Sequence, residues 1–190
     1  RKSMIAFGGA VYNKITYNQD MVSSTNELVA LQKDVNQAIA NRGSVRNAYA
    51  SLNMFHWENL PGTLSEVNEI KNIVPGSEII SGSLVNESKV KALSNSGDLA
   101  KYKVIHFATH GLVVPSMPEL SSIVLSQFKE EKYNEDGYLC MEEISQLKMQ
   151  ADFVNLSACE TGLGKIYGGE GVVGLNQAFL IGGANALSVS

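Results

Sequence analysis

Apolar residues along the chain fall into two patterns, short unbroken runs and stripes at three- and four-residue spacing, and the two alternate. Ser3 to Phe7, closed by Gly8-Gly9, has the length and content of a buried strand with its exit turn. Thr25 to Ala40 sets Leu28, Leu31, Val35 and Ile39 on one stripe of an amphipathic helix that ends at Asn41-Arg42-Gly43. Pro61-Gly62 predicts a turn, with Thr63 capping a helix whose Leu64, Val67, Ile70 and Ile73 share a face; Pro75-Gly76 stops it. Ser77 to Ile80 reads as a second strand, and Asn86 to Leu93 as a crossover helix with Val90 and Leu93 inward. Val104 to Ala108 and Asp152 to Leu156 are two further buried strands. Between them Ser122 to Phe128 and Gly137 to Cys140, parted by a polar stretch, predict a hairpin-like excursion followed by a short helix at Met141 to Leu147. Gly171 to Leu180 predicts a helix with Val172, Leu175 and Phe179 on one side, ended by Gly182-Gly183 before a strand-like Ala186 to Ser190. Ser44 to Leu60, with Tyr49, Phe55 and Trp57 scattered among polar residues, has no periodicity that assigns it. Alternating strands and helices predict an α/β fold with a largely parallel sheet covered on both faces.

Candidate chemistry gathers where two of these strands end. Val104 to Ala108 runs into Thr109-His110-Gly111, and Asp152 to Leu156 runs through Ser157-Ala158 to Cys159. The carboxyl edge of such a sheet is where ligand crevices form. If the two strands are parallel neighbours, a thiol and an imidazole face one crevice, and an imidazole titrates in the range needed to take a thiol proton. Gly111 leaves room for a substrate carbonyl to approach its backbone N–H, which with the N–H of Cys159 makes an oxyanion hole. A free cysteine taken singly is more often a small core hydrophobe, and Cys140, lacking such a setting, is read that way. His106 is read as a hydrogen-bonded interior residue, and His56 has no assigned role. Glu160 either anchors its loop or faces water; Asp136 and Glu119 either line a pocket for a basic side chain or sit in solvated loops. A metal site from His106, His110, Cys140 and Cys159 lacks any paired ligand spacing. Gly169 to Gly174 matches G-x-G-x-x-G but starts a dozen residues past its strand, and Gly164-Lys165 fails as a P-loop.

Composition narrows the classes. The 190 residues are 44% apolar, enough for one sizeable core in a single domain. A formal charge of −4 with 18% charged residues gives no basic excess to hold phosphate backbones, so nucleic acid is not expected as a direct partner. Two cysteines build no disulfide framework, and no run has the length of a membrane span or the make-up of a signal peptide. The expectation is a cytoplasmic protein with no membrane partner. Its first residue is Arg1 and its last stretch is strand-like, which reads as a piece of something longer.

His106-Phe107-Ala108-Thr109-His110-Gly111, Leu156-Ser157-Ala158-Cys159-Glu160-Thr161-Gly162 and Gly169-Glu170-Gly171-Val172-Val173-Gly174-Leu175 with Ala178-Phe179-Leu180 resemble the CHAT domain, a caspase- and separase-like group of cysteine peptidases. Leu60-Pro61-Gly62 with Glu66 and Asp136-Gly137 before Glu142-Glu143-Ile144 are also similar to it. The resemblance covers residues 60 to 190, with residues 3 to 9 as the first strand. It implies a caspase-like three-layer α/β/α fold with a mostly parallel central sheet. Cys159 would be the nucleophile, His110 the acid or base, and Gly111 and Cys159 the oxyanion-hole donors, with no cofactor or metal. It further implies a protein or peptide substrate, regulation by an activating partner or attached TPR repeats, and a place in bacterial signalling or defence. Tyr12 to Trp57 then reads as an insertion, within one domain spanning 1 to 190. The expectation is a cysteine endopeptidase working through an acyl-enzyme thioester. A non-cleaving regulatory or scaffolding module and a thiol hydrolase of small esters or amides are the alternatives.

Overall fold

A computed structural model describes residues 2–12, 57–114, 118–127, 135–157 and 170–190. The helix expected at Thr25 to Ala40 lies outside them, as do Cys159 and the glycine-rich stretch that follows it. Strand β1 (Lys2–Gly8) is followed by α1 (Pro61–Ile73), β2 (Glu78–Ser81), α2 (Glu87–Asn95), β3 (Tyr102–Ala108), β4 (His110–Leu112), β5 (Ser122–Val124), β6 (Tyr138–Cys140), α3 (Met141–Ser145), β7 (Phe153–Ser157), α4 (Glu170–Ile181) and β8 (Leu187–Val189). Among the described residues five strands form a parallel sheet in the order β2-β1-β3-β7-β8. A second sheet, β4-β5-β6, is antiparallel. The predicted α/β architecture with helices on both faces is what the chain adopts.

Strand alternation divides the side chains of the parallel sheet between two faces. Ile5, Phe7, Ile105, Phe107, Val154 and Leu156 point into the main core. There Phe7 stacks on Phe107 at 4.8 Å and Phe107 meets Phe179 of α4 at 6.0 Å. Ala6 and Ala108 point the other way, onto Val67 of α1. A Cβ on Gly8 would stand 2.6 Å from Val67 Cγ1 and 2.7 Å from Thr63 O, so glycine there is what lets α1 lie close to the sheet.

Several predicted boundaries shift for identifiable reasons. Pro61-Gly62 is the first turn of α1 and not a turn before it, because proline's fixed φ suits the first helical position. Thr63 therefore does not cap the helix; its hydroxyl donates to Leu60 O at 2.7 Å and accepts from Gly9 N at 2.9 Å. Of the expected apolar face, Val67 is buried and Ile70 packs in part, while Leu64 and Ile73 are exposed. In α2 the expectation holds: Asn86 caps through Lys89 N at 2.8 Å, and Val90 and Leu93 are buried. Leu175 and Phe179 of α4 are buried as expected, and the side chain of Val172 lies outside the described residues. The hairpin is real, as β5 and β6, but β4 joins it. The chain therefore turns at Thr109 straight into a new strand, an element the sequence pattern does not suggest. Among the described residues no helix is long and apolar enough to cross a membrane.

Gly183 has φ +105°, and a Cβ on it would lie 2.0 Å from Met149 O. Gly183→Ala is expected to destabilise the fold by about 2–4 kcal/mol, combining backbone strain with a clash against fixed main chain. A urea midpoint equal to wild type would contradict this geometry.

Candidate active site

Strands β3 and β7 are adjacent and parallel, with Ala108 opposite Ser157 at their carboxyl ends. Thr109 N donates to Ser157 O at 3.3 Å, so the two chains leave the sheet at the same level. His110 lies two residues beyond Ala108, and in sequence Cys159 lies two beyond Ser157. Cys159 and its N–H are outside the described residues; His110 and Gly111 are within them.

His110 opens β4 and is buried, at 3% exposure. Its Nε2 sits 2.7 Å from the carbonyl oxygen of Glu58. A carbonyl only accepts, so Nε2 carries the proton and the basic lone pair of the neutral ring is on Nδ1. The rings of Tyr12 and Trp57 lie 4.8 and 4.9 Å from the imidazole, tilted 58° and 40°. Both aromatics are themselves anchored. Tyr12 Oη donates to Val124 O at 3.1 Å and accepts from His110 N at 3.3 Å, and Trp57 Nε1 donates to Tyr138 Oη at 3.0 Å. The described ends of the Tyr12-to-Trp57 segment are tied together by Tyr12 N donating to Asn59 Oδ1 at 3.0 Å. Burial pulls the His110 pKa below the usual histidine value, opposed in part by the Glu58 carbonyl. A neutral imidazole at neutral pH is the form a general base needs.

The orientation of Gly111 follows from the ladder. Leu125 N donates to Gly137 O and Met141 N to Ser121 O, which assigns the odd-numbered residues of the β5 segment to β6. Ser122 and Val124 then face β4, so His110 and Leu112 turn their main-chain groups toward β5. The N–H of Gly111 accordingly points off the opposite edge of β4.

Other expected positions fall as follows. His106 is an interior histidine, its Nδ1 2.9 Å from Asn155 Nδ2 and its Nε2 2.9 Å from Glu66 Oε1. It lies four residues before His110 along the chain and has partners of its own. Cys140 is half-buried rather than core, preceding α3 with its N–H donating to Glu143 Oε2 at 3.1 Å. Burial, reinforced by Glu143, pushes its thiol up to about 12, far from a reactive thiolate. Glu119 is exposed, while half-buried Asp136 accepts from Tyr138 N at 2.9 Å and so shapes the turn before β6. Sequence reasoning missed Tyr12, Trp57 and Glu58. Glu58 acts through its main chain, which has no side-chain signature; the one signal for Trp57 is an aromatic in the unassigned stretch Ser44 to Leu60, and Tyr12 has none beyond standing at the start of the expected insertion.

Near this turn Glu87, Glu135 and Glu143 converge within 4.8 Å, a spacing that suits a cation. That cation is Lys91, whose Nζ lies 3.1, 2.5 and 2.7 Å from the three carboxylates. One ammonium cannot balance them all, and Glu87, 2% exposed, is raised well above the ordinary carboxyl range by burial first and by Asp136 next. A carboxyl whose pKa is higher folded than unfolded holds its proton better in the fold. Its stabilising contribution is therefore present below the ordinary carboxyl pKa and lost as pH rises toward the raised value. Glu87→Gln is expected to flatten the fall in urea midpoint between about pH 5 and about pH 8; an unchanged slope would contradict the assignment.

The chain matches the family model described as the CHAT domain over residues 12–190. No curated protein and no solved structure matches it. The match takes in every strand of the parallel sheet but β1, together with the His110 strand exit and the Cys159 segment, and the five-stranded parallel sheet between helices agrees with the caspase-like fold of that group. On this evidence the chain belongs to the CHAT domain family.

Proposed function

We propose that the chain is a cysteine endopeptidase domain, residues 1 to 190 with an insertion near 12 to 57, in which Cys159 and His110 form the catalytic dyad. The observation that carries this reading is the parallel pairing of Ala108 with Ser157. His110 follows one strand end by two residues and Cys159 follows the other by two, a chain reach of at most about 7 Å. Nδ1 of His110 takes the thiol proton, and the thiolate adds to the scissile carbonyl. The resulting oxyanion is stabilised by the N–H groups of Gly111 and Cys159. The same ring then protonates the departing amine as the C–N bond breaks, leaving an acyl thioester. Water, deprotonated by His110, attacks the thioester and restores the thiol. The Glu58 carbonyl holds the ring by Nε2 throughout, and the Tyr12 and Trp57 rings keep it from rotating away.

The substrate is a protein or peptide, and activation comes from a partner or from attached repeats. Mass-spectrometric profiling of a peptide library for new termini tests the reading. Peptide cleavage that depends on Cys159 supports it; ester turnover without any peptide cleavage would replace it with a small-molecule hydrolase, and complex formation without new termini would replace it with a scaffold.

A further inference from the structure

The face of the sheet under α1 carries Met4, Ala6, Ile79 and Ala108, and β3 and β7 place three polar side chains there as well. His106 alternates with Ile105 and Phe107, and Asn155 and Ser157 alternate with Val154 and Leu156, so all three point toward α1. Glu66 of α1 meets them from above. Its Oε1 lies 2.9 Å from His106 Nε2, and its Oε2 accepts from Ser157 Oγ at 3.3 Å. Asn155 Nδ2 is a donor 2.9 Å from His106 Nδ1, so His106 carries its proton on Nε2, on the side of Glu66. The contact with Glu66 is one of proximity, since His106 Nε2 makes no hydrogen bond of acceptable geometry, and burial lowers the pKa of His106 against the opposing pull of Glu66.

We propose that Glu66 is a positioning residue for the dyad: one carboxylate, carried on a separate helix, ties the end of β3 to the end of β7 and thereby sets His110 against Cys159. This rests on the dyad reading above. Ser157 is the last residue of β7 and His106 stands two residues before the end of β3. Between the strands the main-chain ladder fixes their spacing, and at the exit Thr109 N donates to Ser157 O at 3.3 Å. Glu66 supplies a second tie at that level, and Val67 beside it seats α1 in the cleft left by Gly8.

The test uses thiol chemistry, so no substrate is needed. In a Cys140→Ser background, the rate of Cys159 alkylation by iodoacetamide is followed against pH. Wild type should titrate below the ordinary thiol value of about 8.5, and His110→Ala should return to it. Glu66→Ala should raise the midpoint by about one pH unit, about tenfold less thiolate near neutrality. Ser157→Ala should shift it in the same direction by less, and Glu66→Gln, which keeps shape and one acceptor, should recover most of the wild-type behaviour. Midpoints unchanged in Glu66→Ala and Ser157→Ala, with His110→Ala shifted, overturn the positioning role alone. Shifts in Glu66→Ala and Glu66→Gln that match each other and track lost thermal stability mark a merely structural residue, and also overturn it. If Glu66→Ala does not fold, Glu66→Gln and Ser157→Ala decide. A wild-type midpoint near the ordinary value and indifferent to His110→Ala overturns the dyad reading instead.

Discussion

Cys159→Ala is expected to abolish cleavage of every peptide that the wild-type chain cuts, a loss on the order of 10⁴-fold or more. The magnitude follows from the role: the sulfur forms the bond that defines the intermediate, and a methyl group has no electron pair to offer. Binding and the oxyanion donors would remain, so substrate affinity should change far less than turnover. Peptide kinetics with circular dichroism and thermal melts on the same samples separate lost chemistry from a lost fold. Turnover within tenfold of wild type would reject a thioester mechanism.

His110→Ala is expected to lower turnover by about 10²–10⁴-fold, the usual worth of a positioned acid–base group. The loss should exceed that of any aromatic neighbour, because Tyr12 and Trp57 act on the ring and His110 acts on the thiol. Their contacts predict the direction of the pH dependence as well. Burial lowers the pKa of His110, so its basic form persists below the ordinary histidine range. Activity should therefore rise with pH through an acid limb lying under about 6.5, and the limb reports the coupled Cys–His pair rather than one residue. Steady-state kinetics of wild type from about pH 5 to about pH 8 check it; an acid limb above the ordinary value would contradict the buried geometry. Exogenous imidazole restoring part of the lost rate in His110→Ala would identify the missing group by its chemistry.

How far the sequence discloses this arrangement depends on whether side chains or main chain carry the information. The runs at Ser3 to Phe7, Val104 to Ala108 and Asp152 to Leu156 form parallel strands whose core-facing residues are buried, and their short apolar content marks such strands directly. His110 stands just past the end of β3, and in sequence Cys159 follows the end of β7 by two residues, so both fall in motifs visible in the letters. The start of α1 differs from the expectation because Pro-Gly signals a turn as strongly as it signals a first helical turn. Strand β4 was invisible because His110, Gly111 and Leu112 hold no periodicity in three residues, and their pairing with Val124, Ile123 and Ser122 is decided by tertiary contact. The Glu58 carbonyl and the two rings beside His110 come from more than fifty residues upstream, and nothing in a main-chain acceptor shows in sequence. Glu66 is legible as part of a resemblance, while its reach to His106 and Ser157 depends on the packing of α1 on the sheet.

The claim underneath all of this is that β3 and β7 deliver an imidazole and a thiol to one rim. The distance from Cys159 Sγ to His110 Nδ1 in a crystal structure measures it directly. The account predicts about 4 Å or less, hydrogen-bond reach with allowance for a site without substrate, with both atoms on the carboxyl rim of the sheet. A sulfur packed beneath the sheet, or separated from the ring by about 10 Å or more, would contradict it.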